Sequence, residues 1–367
     1  DVCLVGSEMC IRDRNKNIGT FDFKPVSEDM VQRLMKDIKV NKATGCDNIP
    51  PKLVKMTHDI IAPYFKNIIN ESFITSTFPD DMKCAEISPI FKKINDLLKN
   101  NYRPVSILVI LDKIFESIIT TQMVAHFVHT FNDRLGAYRK MYSCEHILLE
   151  IVDTWKKALD SNQYVGTILM DLSKAYDCIP HGLLICKLKG YGFSDGACKF
   201  ICTYLSGRYQ RVKIENERSN WERLKKGIPQ GSCLGPLLFN IFINDIFLFI
   251  TRSNLTNYAD DNTLSKIAET FEIILEALSH DTKNAMDWFR NNFMQSNADK
   301  FQAMFLKPLF SKDVLPAKLV INDTEIENQS EVKLIGITIY NKLRFDAHVD
   351  NIFKKASRQL NVLYRFK

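Results

Sequence analysis

Leu255-Thr256-Asn257-Tyr258-Ala259-Asp260-Asp261-Asn262-Thr263-Leu264-Ser265 is the stretch on which the fold turns. Leu255-Thr256-Asn257-Tyr258 and Asn262-Thr263-Leu264-Ser265 have the composition of short strands, with a tight turn between them. Adjacent carboxylates are expelled from apolar surroundings unless something pairs their charge. At the tip of a hairpin they can sit beside a divalent cation while the flanking strands lie in a sheet. Asp-Asp pairs are also common in exposed turns with no such role. The tetrapeptide Tyr258-Ala259-Asp260-Asp261 therefore needs support from elsewhere in the chain.

That support begins with Val165-Gly166-Thr167-Ile168-Leu169-Met170-Asp171, a mostly apolar run that ends in a carboxylate. Such a run belongs in the middle of a sheet, covered on both faces. A carboxylate at its end is poorly solvated, so a metal is a natural counter-charge; a turn or capping Asp is the alternative. Two carboxylates on neighbouring strands can hold two Mg²⁺ ions, one activating a nucleophilic oxygen and one steadying the leaving group. Phosphoryl transfer needs chiefly this positioning and charge neutralisation. Between the two lies Gly227-Ile228-Pro229-Gln230-Gly231-Ser232-Cys233-Leu234-Gly235-Pro236, a bent approach into a helix. Gly231 there lets the backbone come close to a base or sugar.

The bulk properties set limits. A chain of 367 residues suits two or three packed lobes. A hydrophobic share of 46% with 25% charged residues is ordinary for a globular protein. The net charge of +6 is compatible with a polyanionic partner. The 10 cysteines show neither a CxxC pair nor zinc spacing and read as reduced thiols of an intracellular protein. The longest apolar run, residues 237–250, contains Asn240, Asn244 and Asp245 and is too short and polar to span a bilayer, so no membrane partner is expected. Residues 4–14 look like a translated sequencing-library transposon adapter, and residues 1–14 are set apart as foreign to the fold.

Helical periodicity follows Ser27, with Met30, Val31, Leu34, Met35 and Ile38 on one face. Residues 60–74 repeat the pattern with Ile61, Tyr64, Phe65, Ile68 and Ile69 as the apolar stripe. A strand is expected over 84–91, then a basic loop over 92–103. Helices follow over 110–124 and from Ser143 through Trp155. A hairpin is expected from 210–214 and 221–224, a helix over 271–291, strands within 302–306 and 332–339, and a basic helix over 346–365. Strands and helices mix without βαβ regularity, which favours an α+β fold.

Taken together, these residues resemble the reverse transcriptase of a non-LTR (LINE-type) retrotransposon of the jockey/CR1-like kind. Asp171-Leu172-Ser173-Lys174-Ala175-Tyr176-Asp177 is similar to motif A of that family, residues 227–235 to motif B, and Tyr258-Ala259-Asp260-Asp261 to motif C. Ala43-Thr44-Gly45-Cys46-Asp47, Pro89-Ile90-Phe91-Lys92-Lys93 and Asn101-Tyr102-Arg103-Pro104-Val105-Ser106 are similar to its extension and fingers motifs. Asn297-Ala298-Asp299-Lys300 resembles motif D and Leu334-Ile335-Gly336-Ile337 motif E. The likeness runs in order over residues 25–365. It implies a right-hand polymerase with an antiparallel palm sheet. The N-terminal extension and fingers would fill 15–163 and the palm, with inserted fingers elements, 164–340, with 341–367 starting a thumb that the chain leaves incomplete.

The resemblance further implies metal binding by Asp171, Asp260 and the carbonyl of Leu172, with Asp261 in support, and two Mg²⁺ ions (or Mn²⁺) as cofactor. It implies that Tyr176 abuts C2′ of the incoming sugar, that Gln230 and Gly231 line the nucleotide pocket, and that Lys92 and Arg103 grip the triphosphate. Lys300 would give a proton to departing pyrophosphate. Lys354, Lys355 and Arg358 are expected against the nucleic-acid backbone. The implied partners are an RNA template, a DNA primer and dNTPs, and the implied activity is RNA-directed DNA polymerisation from a 3′-hydroxyl, in nucleus and cytoplasm. Two other readings stay open: an RNA-templated RNA polymerase, against which Tyr176 speaks, and a decayed fragment that binds RNA without catalysis. Leu135-Gly136-Ala137-Tyr138-Arg139-Lys140 departs from the family's Gly-Phe-Arg run, and no endonuclease-like segment is found.

Overall fold

The computed structural model describes residues 11, 19–92, 95–173, 175–296, 300–321 and 324–364. Apart from Ile11, the stretch set apart as foreign lies outside them, as do Lys93, Lys174, Asn297, Ala298, Asp299 and Arg365. In chain order the strands are β1 (Cys84–Phe91), β2 (Tyr102–Leu108), β3 (Tyr164–Ser173), β4 (Tyr209–Ile214), β5 (Glu217–Arg218) and β6 (Glu222–Arg223). The hairpin β7 (Asn254–Tyr258) and β8 (Asp261–Ala268) follows, then β9 (Gln295–Ser296) and β10 (Gln302–Leu306). Two small hairpins close the series, β11 (Lys318–Ile321) with β12 (Thr324–Glu327), and β13 (Glu331–Leu334) with β14 (Ile337–Tyr340). The architecture is mixed α and β with largely antiparallel sheets, and the chain divides into two compact units.

The first unit takes residues 1–131 and 174–245. Ser27 accepts from the Met30 amide and starts the helix Glu28–Lys36, whose Val31 and Met35 are buried. The helix His58–Thr75 buries Ala62, Phe65, Ile69 and Ser72, while Ile60, Tyr64 and Ile68 are exposed. The expected stripe was therefore rotated. Apolar residues occupy more than one face of this helix, and the face that goes inside carries the small Ala62 and Ser72, which let neighbouring helices come close.

In the same unit β1 runs antiparallel to β2 and parallel to β4. Arg103, expected in a basic loop, lies on β2 instead. Pro104 obscured that strand, because a proline cannot donate to a ladder, yet β2 is an edge strand where proline is tolerated. Glu86 on β1 is buried opposite Arg211 and binds Arg211, Lys213 and Arg218. Burial alone would raise its pKa, but these three cations outweigh that and hold the carboxyl below its usual range.

The second unit takes residues 132–173 and 246–367 and is built on the sheet β10-β3-β8-β7, antiparallel throughout. β3 is central, and Val165, Thr167, Ile168 and Met170 are buried, as its apolar run requires. The helix Phe271–Asn291 packs so close on β3 that a Cβ on Gly166 would fall 2.3 Å from the Ile274 side chain. The helix Cys144–Asp160, capped by Ser143, supplies Ile147, Ile151 and Trp155 to the core that contains Val165. The stretch over 332–339 is not one strand but the β13–β14 hairpin, which turns at Ile335 and Gly336, both at positive φ. The helix Asp346–Tyr364 contacts β14. Among the described residues, no helix is long and apolar enough to cross a membrane, and Cys46, Cys84, Cys144, Cys178, Cys202 and Cys233 are free thiols.

Candidate active site

The expected hairpin is present in the second unit. Tyr258 and Asp261 pair across it, leaving Ala259 and Asp260 as the two turn residues. Ala259 has φ 56°, a conformation that costs an L-residue about 1–2 kcal/mol. On the other side of β8, Asp171 of β3 lies directly opposite Asp261. Asp260 and Asp261 are exposed, and Asp171 is half exposed. Like charges directly opposite one another in a sheet are destabilising, so this edge favours a cation. Lys300 Nζ stands 3.9 Å from Asp171 Oδ2, the outer limit of an ion pair, with both side chains about half exposed. Leu172 is buried where β3 passes from β8 to β9, opposite Ser296.

The turn is held from several sides. Asn257 and Asn262 are cross-strand partners and both are buried. Asn257 Nδ2 donates to the Ala259 carbonyl and to Asn262 Oδ1, each at 2.9 Å, and Asn262 Nδ2 donates to the Asp260 carbonyl at 3.2 Å. The Asn257 backbone donates to Arg134 O and accepts from the Gly136 amide, both at 2.9 Å. The segment that departs from the family's Gly-Phe-Arg run thus lies along β7, and Gly136 is required there because a Cβ would fall 2.6 Å from Ile147. Tyr258 OH lies 3.3 Å from Cys144 Sγ. That bond first, and burial second, push its phenol up to about 12.

Behind β7, the buried Asp281 accepts from the amides of Thr251, Arg252 and Ser253 and from Ser253 Oγ. Burial would raise this carboxyl, but bonds from Ser253, His280 and those amides outweigh it and hold it low. Sequence reading missed Asn257, Asn262 and Asp281. The one available signal was the symmetry of Asn257 and Asn262 about the turn.

The first unit holds the other expected site residues. Tyr176 stacks on Phe239 at 4.8 Å between ring centroids. Gln230 Nε2 donates to Asp177 Oδ1 at 3.0 Å, and the Gln230 carbonyl accepts from the Ser106 amide at 2.6 Å. Gly227 (φ 83°) and Gly231 (φ 108°) have to be glycine. A Cβ at Gly227 would meet the Asp177 backbone at 2.8 Å, and one at Gly231 would meet Ser106 O at 2.9 Å. His181 Nε2 donates to Gly227 O, so this histidine ties down the loop. A pocket is lined by Asp177, Gln230, Ser106, Pro104, Gln210 and Arg223, among others. Lys92 and Arg103 are exposed at the end of β1 and on β2. In the second unit, Lys354, Lys355 and Arg358 are exposed on the helix Asp346–Tyr364.

Beneath the residue 227–235 loop, Asp112 and Glu116 lie fully buried on the helix Ile110–Phe127. Arg208 binds Asp112 Oδ2 at 3.0 Å, Tyr204 OH donates to Glu116 Oε1, and the Cys233 amide donates to Glu116 Oε2 at 2.6 Å. Burial first, and the Glu116 charge second, push Asp112 up to about 8.

Carboxylate and carbonyl oxygens are hard ligands of the kind that Mg²⁺ or Mn²⁺ takes. Among the described residues no group of three or more His, Cys, Asp or Glu side chains could hold a metal by itself. The acidic edge fits a cation whose shell is completed by substrate phosphates, the usual arrangement for Mg²⁺ in nucleotide sites.

A family model described as reverse transcriptase (RNA-dependent DNA polymerase) matches residues 90–339. The chain belongs to that family, whose members depend in general on divalent metal. It is 24% identical over 353 residues to the probable RNA-directed DNA polymerase from transposon BS of Drosophila melanogaster, covering 93% of this chain and 38% of that protein. It is 25% identical over 342 residues to the RNA-directed DNA polymerase from mobile element jockey of Drosophila funebris, covering 89% and 36%. Over 331 residues it is 23% identical to the Pol polyprotein from type-1 retrotransposable element R1 of Bradysia coprophila, covering 87% and 32%. The jockey-like, non-LTR resemblance read from the motifs is borne out by these relatives. The chain spans about a third of their length.

Proposed function

We propose that this chain carries out RNA-templated DNA synthesis from a 3′-hydroxyl primer, as part of a non-LTR mobile element. The observation that carries the reading is the register that sets Asp171 opposite Asp261, with Asp260 in the adjoining strained turn. Asp171, Asp260 and the Leu172 carbonyl would hold two divalent cations, Mg²⁺ or Mn²⁺, with Asp261 in support. When bound, these ions supply charge neutralisation for an in-line displacement at phosphorus.

The chain's own residues do the rest. Lys92 and Arg103 neutralise and orient the triphosphate. Gln230, held through both its side chain and its carbonyl, lines the nucleotide pocket together with Gly231. The ring of Tyr176, backed by Phe239, excludes a 2′-hydroxyl by overlap. Lys300 Nζ is the proton donor to departing pyrophosphate. The right-hand assignment follows from the same reading, with a palm centred on β10-β3-β8-β7, fingers around β1, β2 and β4, and a thumb that begins with the helix Asp346–Tyr364. Lys354, Lys355 and Arg358 on that helix face nucleic-acid phosphates, and nucleus and cytoplasm are the compartments this life cycle uses.

Primer extension by the full chain on a poly(rA) template tests the reading. DNA products from dNTPs, with rNTPs used poorly, are expected. RNA products would make the chain an RNA-templated RNA polymerase, and template binding without extension would make it a binding fragment.

A further inference from the structure

Asn257 and Asn262 pose an energetic problem. Each sits fully inside the sheet of the second unit, at cross-strand positions where a pair of β-branched or aliphatic residues would pack at no polar cost. Burying a side-chain amide costs about 1–3 kcal/mol unless hydrogen bonds compensate. The compensation falls on the amide nitrogens, while Asn257 Oδ1 is buried with no hydrogen-bond partner among the described residues. Their amide nitrogens reach the carbonyls of Ala259 and Asp260, the two residues that form the turn. A third bond, Asn257 Nδ2 to Asn262 Oδ1, couples the two amides.

The turn has particular need of this. Ala259 holds φ 56° without the freedom of glycine, so the unrestrained turn would relax toward other conformations. A change in the peptides on either side of Asp260 would re-aim its side chain. The clamp is itself anchored, because the Asn257 backbone is bonded both ways to the Arg134–Gly136 stretch. Strain at Ala259 and rigidity at Asn257 and Asn262 are two halves of one device that keeps an exposed carboxylate pointed in one direction.

We propose that Asn257 and Asn262 are positioning residues that fix the Asp260 carboxylate for divalent-cation binding through the carbonyls of the turn. The proposal rests on the metal-binding reading of Asp260. Groups that orient a metal ligand are commonly worth 10–100-fold in metal affinity.

The test is Mn²⁺ binding by the full chain with primer and RNA template, read from free Mn²⁺ by electron paramagnetic resonance, beside hydrogen–deuterium exchange. Asn262→Leu keeps the approximate shape and removes the donor to Asp260 O. It should weaken Mn²⁺ binding about 10–100-fold and speed exchange across residues 258–262, with template affinity and exchange elsewhere unchanged. Asn262→Gln, which keeps an amide donor, should recover part of the loss. If Asn262→Leu does not fold, Asn262→Ser, which fits the space but is too short to reach the carbonyl, decides by the same readouts. Undiminished Mn²⁺ affinity in a folded Asn262 variant, while Asp260→Ala abolishes binding, overturns the positioning role. Undiminished affinity in Asp260→Ala overturns instead the metal reading on which it rests.

Discussion

Two groups of carboxylates, one in each unit, receive opposite treatment. Asp112 and Glu116 are wholly enclosed, and the chain meets them with its own groups: Arg208 on Asp112, Tyr204 and the Cys233 amide on Glu116. One guanidinium does not offset the burial of both carboxyls: burial raises Glu116, and burial with the Glu116 charge raises Asp112 to about 8. Asp171, Asp260 and Asp261 stand instead at an open hairpin edge, where Lys300 approaches Asp171 only to 3.9 Å. A carboxylate's role can be read from the source of its counter-charge. Where the protein supplies it in a dry interior, the carboxylate is structural, here under the residue 227–235 loop. Where carboxylates gather at an exposed, rigid edge, a ligand can reach them.

The contrast can be broken most severely at Arg208. Arg208→Met strands the buried carboxylates without their cation, and the unfolding free energy of the full chain in urea should fall by about 3–5 kcal/mol. A loss below about 1 kcal/mol, the range of exposed pairs, would mean that the enclosed group is no more dependent on internal charge than the open one.

A smaller effect is expected at Tyr176, which tests where the line between structural and functional residues falls in the first unit. Tyr176→Val should keep dNTP incorporation but give up about 1–3 kcal/mol of discrimination against rNTPs, while Tyr176→Phe changes little because the ring and not its hydroxyl does the excluding. Unaltered discrimination in Tyr176→Val would make the stack on Phe239 mere packing.

What the sequence made legible was local. The hairpin showed itself through strand composition on either side of a turn, β3 through a mostly apolar run, and two helix starts through Ser27 and Ser143, both of which accept the expected amide. Partnership across the chain was not legible. Asp112 and Glu116 fall within the helix expected over 110–124, but nothing local marks them as buried, since their partner Arg208 is remote in sequence. Asn257 and Asn262 stand in the sequence only as members of the flanking strands, and only the cross-strand register brings them together over the turn. β2 was hidden by Pro104, whose effect depends on whether a strand is central or at an edge. The buried face of His58–Thr75 was ambiguous because exposed Ile60, Tyr64 and Ile68 follow the same period as the residues inside.

The central claim is that the acidic hairpin edge is where the chemistry happens, and Asp260→Ala in the full chain tests it most directly. Extension of a primer on RNA is followed over a Mg²⁺ titration, with primer–template affinity measured in parallel. The account predicts that extension falls below detection at every Mg²⁺ concentration while affinity stays near that of the parent chain, because Asp260 holds metal and not the duplex. Mg²⁺-dependent synthesis by the purified Asp260→Ala protein would contradict it.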